Sequence, residues 1–124
     1  MSNATLAFPS DDERESDMAE VPEIDVTALE GLLEEAFLVD VREPDEYEDA
    51  HVPGAILIPL ATVPDSLALL PSEGTIHVIC AAGSRSARAV EFLLGNGFDA
   101  VNIAGGTMAW IQSGAPTVSG PDPV

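Results

Sequence analysis

The sequence predicts an α/β domain built around a mostly parallel sheet that carries helices on both faces. Two observations support this fold class. Short apolar runs typical of buried strands recur along the chain, and segments with helical periodicity separate them. Strands that alternate with helices are joined by crossover connections, which place the strands parallel and cover both faces of the sheet.

Ten elements are predicted in chain order. Strand signals cover 23–25, where the signal is weak, 37–41, 55–58, 76–80 and 101–104. Helical signals cover 27–35, 44–49, 62–70, 86–94 and 107–113. In the fourth helix, Val90, Leu93 and Leu94 are predicted to face the core, and Gly95 and Gly97 are expected to end it.

The chain has 124 residues, enough for one domain with one core. Residues 1–20 are acidic and aperiodic, and they predict a disordered arm. Residues 21–115 form the predicted folded domain. Residues 116–124 are rich in Pro and Gly and predict a flexible tail.

The chain is strongly acidic, with 22 acidic residues against 4 basic ones and a formal net charge of -18. This balance makes nucleic acid and anionic membrane surfaces poor partners. No apolar run approaches the ~20 residues of a membrane span, and no secretory signal is recognisable at the N-terminus. A single cysteine cannot form an internal disulfide, so a cytoplasmic location is expected.

The only cysteine, Cys80, ends a predicted strand and opens a loop of small residues before a helix. The candidate loop consists of Ala81, Ala82, Gly83, Ser84, Arg85 and Ser86, the last of which is the predicted N-cap of the helix. Backbone N–H groups of such a loop, together with the helix N-terminus, favour negative charge and would stabilise a thiolate. The alternative is that Cys80 is a small buried apolar residue.

Arg85 and three further residues, Asp40, Arg42 and His51, have individual candidate roles. Arg85 offers a guanidinium that suits an oxyanion, although it could instead bond the carbonyl groups of its own loop. Asp40 and Arg42 end the 37–41 strand and are interpreted as a structural ion pair. His51 could act as a general base, but a structural histidine bonded to backbone groups is favoured, because a preformed thiolate needs no base.

Three blocks of the sequence, DVREPDEYEDAHVPGAILIPL, VICAAGSRSARAVEFLLGNGF and VNIAGGTMAW, resemble a single-domain rhodanese in order and over nearly all of 21–115. One departure is Ala50, where the family usually has Gly. The resemblance implies a rhodanese-like fold around a five-stranded parallel sheet. It also implies that Cys80 is a catalytic cysteine that carries a sulfane sulfur as a persulfide, with 80–85 as the active-site loop.

The resemblance therefore favours a sulfurtransferase that uses a small anionic donor such as thiosulfate and an external thiol or protein acceptor, without a cofactor or metal. A second possibility is a sulfur-delivery or interaction module that acts with partner proteins. A phosphatase or arsenate reductase is disfavoured, because only four residues separate Cys80 from Arg85 and such loops use five.

Overall fold

A computed structural model describes residues 21–124, so the predicted N-terminal arm lies outside the described residues. The strands are β1 (Glu23–Ile24), β2 (Phe37–Asp40), β3 (Ile56–Leu57), β4 (Thr75–Ile79) and β5 (Asp99–Ile103). The α-helices are α1 (Val26–Leu32), α2 (Pro44–Asp49), α3 (Ser84–Gly95) and α4 (Gly106–Gln112). Within 21–124, no helix combines the length and apolar character that crossing a membrane requires.

The five strands form one sheet in the order β1-β5-β4-β2-β3, and every neighbouring pair is parallel. The predicted fold class is therefore confirmed. β4 lies at the centre, with Val78 opposite Val39 of β2 on one side and Asn102 of β5 on the other. Because the strands are parallel, the residues that follow β2, β4 and β5 meet at the same edge.

Two apolar clusters fill the two faces of the sheet. One joins Val78 and Cys80 to Val90 and Leu93 of α3. The other joins Ile79 to Leu29 of α1, Trp110 of α4 and further buried side chains. Helices thus cover both faces, and the alternation along β4 divides its side chains between them.

Leu94 was predicted to face the core, but it is exposed. The buried positions of α3 are Ser86, Ala87, Ala89, Val90 and Leu93. Small alanines let the helix approach the sheet closely, and Leu94 then lies at the margin of the buried face. Gly97 has a φ of +90° just after the helix, so the predicted end of the helix is confirmed.

The helix predicted over 62–70 is replaced by two 3₁₀ helices, Leu60–Asp65 and Leu67–Leu69. Pro64 lies inside the first of them. Proline has no N–H group, and its ring clashes with the carbonyl group four residues earlier, so a continuous α-helix is disfavoured here. The short i→i+3 turns accommodate the proline.

The C-terminal segment, 116–124, lies against the domain. His51 and Val118 exchange two backbone hydrogen bonds, at 2.8 and 2.9 Å. The Gly54 N–H group donates to Pro123 O at 3.0 Å, and the Trp110 indole donates to Pro116 O at 2.7 Å. The prediction of a flexible tail did not anticipate these contacts, because they use backbone carbonyl groups that the Pro/Gly-rich composition does not reveal.

Deletion of residues 117–124 is expected to destabilise the domain. The buried backbone of His51 and the N–H group of Gly54 would lose their partners. At about 1 kcal/mol for each hydrogen bond, the free energy of unfolding should fall by about 2–4 kcal/mol. Urea denaturation measures this change. Deletion of Val124 alone, which is 85% exposed, is the control and should be neutral. Equal stability of the two truncated proteins would contradict the prediction.

Candidate active site

Cys80 is the first residue after β4, at the carboxyl edge of the sheet. It is almost fully buried, at 1% exposure. Its Sγ lies 3.1 Å from the backbone N of Gly83 and 3.2 Å from the hydroxyl oxygen of Ser86. Two donors are thus directed at one sulfur, an arrangement that stabilises negative charge on it.

Ser86 is not the N-cap of α3, as the sequence predicted. The N-cap is Gly83, whose φ of +115° is in the left-handed region, and the helix begins at Ser84. The chain therefore turns into the helix earlier than expected. Ser86 falls in the first turn, where it is fully buried and its hydroxyl can reach Sγ.

Asn102 of β5 is a site residue that the sequence analysis missed. Its Oδ1 lies 2.5 Å from the Ser86 hydroxyl, and its Nδ2 donates to Gly83 O at 3.2 Å and to Glu23 Oε2 at 2.9 Å. The side chain therefore bridges β1, the N-cap of α3 and the serine next to the sulfur. A single amide within a buried strand was the only signal for it in the sequence.

The Ser86 hydroxyl has one proton and faces two acceptors, Sγ and the Asn102 carbonyl oxygen. It can donate to only one of them at a time. With a neutral thiol, the sulfur can donate to Ser86 Oγ while Ser86 donates to Asn102. With a thiolate, the serine proton serves the sulfur. The Ser86 hydroxyl can thus match either charge state of Cys80 by turning its proton alone, while the heavy atoms stay in place.

The first turn of α4 binds the other side of the loop. The N–H groups of Thr107 and Met108 donate to the carbonyl oxygens of Cys80 and Ala81, at 2.9 and 3.0 Å. The approach requires glycine at position 106, because a Cβ there would lie 2.6 Å from both oxygens and φ is +61°. Gly105 and Gly106, both with positive φ, form the tight turn between β5 and α4.

Arg85 is held by Glu46 of α2. Its Nη1 and Nη2 donate to the two carboxylate oxygens at 2.9 and 3.0 Å, and both side chains are about one third exposed. The hydrogen bond from Arg85 is the main cause that lowers the pKa of Glu46 from 4.5 to about 2. The same bond raises the pKa of Arg85. The sequence gives no local signal for Glu46, since its partner lies 39 positions away.

Asp40 and Arg42 form a buried ion pair at the end of β2. Nε and Nη2 of Arg42 lie 3.0 and 2.9 Å from the Asp40 carboxylate oxygens. Nη2 also donates to the carbonyl oxygen of Ala50, the C-cap residue of α2, at 2.8 Å. The pair therefore connects the end of β2 to the end of the helix that carries Glu46.

His51 is fully buried and has both ring nitrogens against backbone oxygens. Nδ1 lies 2.7 Å from Tyr47 O, and Nε2 lies 2.9 Å from Asp122 O. The ring also stacks on the Tyr47 ring with centroids 3.6 Å apart. These contacts join α2 to the C-terminal segment. Across residues 21–124, no three side chains of His, Cys, Asp or Glu come together as a potential metal site.

Comparisons with known proteins agree with the fold. The model of the Rhodanese-like domain family matches residues 25–113. A sulfurtransferase of Allochromatium vinosum is 33% identical over 80% of this chain and 96% of its own length. A putative sulfurtransferase of Bacillus subtilis, YtwF, is 35% identical over 73% of this chain and 91% of its own. The crystal structure of a rhodanese-related protein from Thermoplasma volcanium has a TM-score of 0.75 at 35% identity, covering 78% of this chain and 97% of the other.

Substitution of Gly106 by Ala should destabilise the protein more than substitution of Gly97 by Ala. Both glycines have positive φ, so both variants incur the ~1–2 kcal/mol of left-handed backbone strain. Only Gly106→Ala also pushes a methyl group against backbone oxygens, which adds about 1–3 kcal/mol. Urea denaturation of the two variants gives the difference directly. Equal losses would show that the approach of α4 to the loop is not tight.

The Glu46–Arg85 ion pair should add stability that disappears in acid. The pKa of Glu46 is about 2 in the folded protein and ordinarily 4.5, so the contribution is complete above pH 4.5 and is lost as the pH falls toward 2. The free energy of unfolding is measured by urea denaturation between pH 2.5 and 7. The difference between wild type and Glu46→Gln should shrink below pH 4.5. The exposed Glu48→Gln variant controls for the loss of one charge, and a difference that does not vary with pH would contradict the assignment.

Proposed function

This chain belongs to the rhodanese-like domain family, and from that premise we propose that it transfers a sulfane sulfur through a persulfide on Cys80. The observation that carries the proposal is the pair of donors directed at Sγ, the Gly83 N–H group and the Ser86 hydroxyl. A cysteine that only filled space in the core would have no need of them. They favour a negative charge on Sγ, in the thiolate that attacks the donor and again in the thiolate that leaves when the acceptor removes the sulfur.

In the first half-reaction, the Cys80 thiolate attacks the outer sulfur of a donor such as thiosulfate. A new S–S bond forms at Cys80, and the S–S bond of thiosulfate breaks. Sulfite leaves with the bonding electron pair, and the product is the Cys80 persulfide anion. No proton needs to move, which agrees with a site in which His51 is engaged by backbone oxygens.

In the second half-reaction, an external nucleophile attacks the outer sulfur of the persulfide and Cys80 leaves as the thiolate. Cyanide would give thiocyanate, and a thiolate would give a new persulfide. The chain has one cysteine, so it holds no second thiol to resolve the intermediate. The acceptor is therefore a separate small molecule or protein, and the kinetics should be ping-pong.

Access to Cys80 requires a local movement of the loop, because the residue is nearly buried. Ala82 and Ser84 are exposed. Such a segment opens more readily than the strand and helices around it. The first turn of α4 holds the carbonyl groups of Cys80 and Ala81, and Asn102 holds Gly83 O, so the opening would be confined to Ala82 and leave both donors at Sγ in place.

Phosphoryl chemistry is a weaker fit. Four residues separate Cys80 from Arg85, a short loop for a phosphate group. The guanidinium that would bind a phosphate is also engaged by the Glu46 carboxylate. A sulfane sulfur is a smaller group, and the donors at Sγ favour the thiolate that attacks it.

Substitution of Cys80 by Ser should abolish sulfur transfer from thiosulfate to cyanide and leave the fold intact. The hydroxyl is a poor nucleophile at neutral pH, yet it can occupy the same position and accept the same hydrogen bonds. Thiocyanate formation measures turnover. Mass spectrometry of the wild type after incubation with donor should find one added sulfur at Cys80. Turnover by the variant, or a wild type that gains no sulfur, would contradict the persulfide mechanism.

A further inference from the structure

Arg85 is the only cationic side chain of the loop 80–86, and a carboxylate already occupies it. The contact is bidentate, with both terminal nitrogens of the guanidinium matched to the two oxygens of Glu46 at 2.9 and 3.0 Å. This is the geometry in which arginine binds an oxyanion. An oxyanionic sulfur donor that used the same two nitrogens would therefore have to displace Glu46.

The carboxylate is held from several directions. Besides Arg85, Oε1 of Glu46 accepts from the backbone N of Glu43 at 2.9 Å, within the first turn of α2. The other end of α2 is connected to the buried Arg42 through Ala50 O. Glu46 is thus part of the framework, and an incoming anion would have to break several contacts to displace it.

The Arg85–Glu46 ion pair weakens the attraction of the loop for anions. The guanidinium and the carboxylate together carry no net charge, so the loop offers a dianion much less attraction than a free arginine would. The rest of the protein adds repulsion, since its formal net charge is -18. Of the other described arginines, Arg42 is engaged by Asp40 in the interior and Arg88 has an interaction of its own.

We propose that Glu46 is a specificity-determining residue that disfavours oxyanionic donors such as thiosulfate and leaves Cys80 selective for persulfides carried on thiols. The inference rests on the proposed function. In the preferred step, the Cys80 thiolate attacks the outer sulfur of R–S–SH. The S–S bond of the donor breaks, R–S⁻ leaves with the electron pair, and the proton stays on the new persulfide or passes to solvent. No sulfonate oxygens need to be bound, so the engaged arginine is no obstacle.

The test compares two donors in wild type, Glu46→Gln and Glu48→Gln. One donor is thiosulfate, and the other is the persulfide of N-acetylcysteine methyl ester, which has no carboxylate. Glu46→Gln keeps an acceptor for Arg85 and for Glu43 N but removes the charge. The exposed Glu48 side chain lies two residues further along α2, so its variant loses the same charge away from Arg85.

In Glu46→Gln we expect kcat/KM for thiosulfate to rise about tenfold or more, because the carboxylate that competes for Arg85 through charge-assisted hydrogen bonds is gone. For the persulfide, kcat/KM should change less than about twofold. Glu48→Gln should leave the ratio of the two donors near the wild-type value. A ratio unchanged in Glu46→Gln, or changed equally in both variants, would overturn the proposal. Glu46→Ala, which also frees Arg85, should shift the ratio in the same direction.

Sulfate binding separates this proposal from the proposed function. Sulfate has the charge of thiosulfate but no sulfane sulfur, and calorimetric titration measures its affinity without any transfer. Glu46→Gln should bind sulfate more tightly than wild type and Glu48→Gln. Tighter binding in a protein that forms no Cys80 persulfide would support the role of Glu46 while refuting sulfur transfer. Unchanged sulfate affinity in an active sulfurtransferase would overturn the role of Glu46 alone.

Discussion

The buried ion pair between Asp40 and Arg42 is the contact on which the geometry of the site depends. It lies at the end of β2, where Asp40 is in register with Ile79, the residue before Cys80. Through Ala50, the same arginine holds the end of α2 and with it the position of Glu46. Removing two charges from water is expensive, and the several hydrogen bonds of Arg42 offset this cost. The ion pair therefore contributes mainly by fixing a position. It places α2 against the loop that follows β4, the strand next to β2.

The surroundings of the Cys80 sulfur depend on a second set of contacts, which reach the loop 80–86 from both sides. On one side, Gly106 lets the first turn of α4 reach the carbonyl groups of Cys80 and Ala81. On the other, the amide of Asn102 holds Gly83 O and lies against the Ser86 hydroxyl. The donors around Sγ are thus oriented before any substrate arrives. Preorganised donors need no rearrangement when charge develops, which is the condition for effective electrostatic stabilisation.

The parts of this arrangement that were predictable from sequence are those encoded by local patterns. Alternating strand and helix signals indicated the α/β fold, and the position of Cys80 after an apolar run indicated the edge of the sheet. The predicted start of α3 was wrong by two residues. Ser86 was chosen because serine is a common N-cap, but the N-cap is Gly83 in the left-handed conformation. Glu46 and the C-terminal segment could not be found, since their partners are distant in sequence or are backbone groups.

Charge in this protein acts at two distances, and groups in direct contact with the site act on it most strongly. At physiological ionic strength exposed charges are screened beyond ~8 Å. The N–H group of Gly83 and the hydroxyl of Ser86 act at 3.1 and 3.2 Å in a nearly buried position, where screening is weak. A sulfur anion can therefore be stable in a strongly acidic chain. By the same argument, the specificity proposed for Glu46 rests on one carboxylate in direct contact with the loop arginine, and it does not depend on the net charge of the chain.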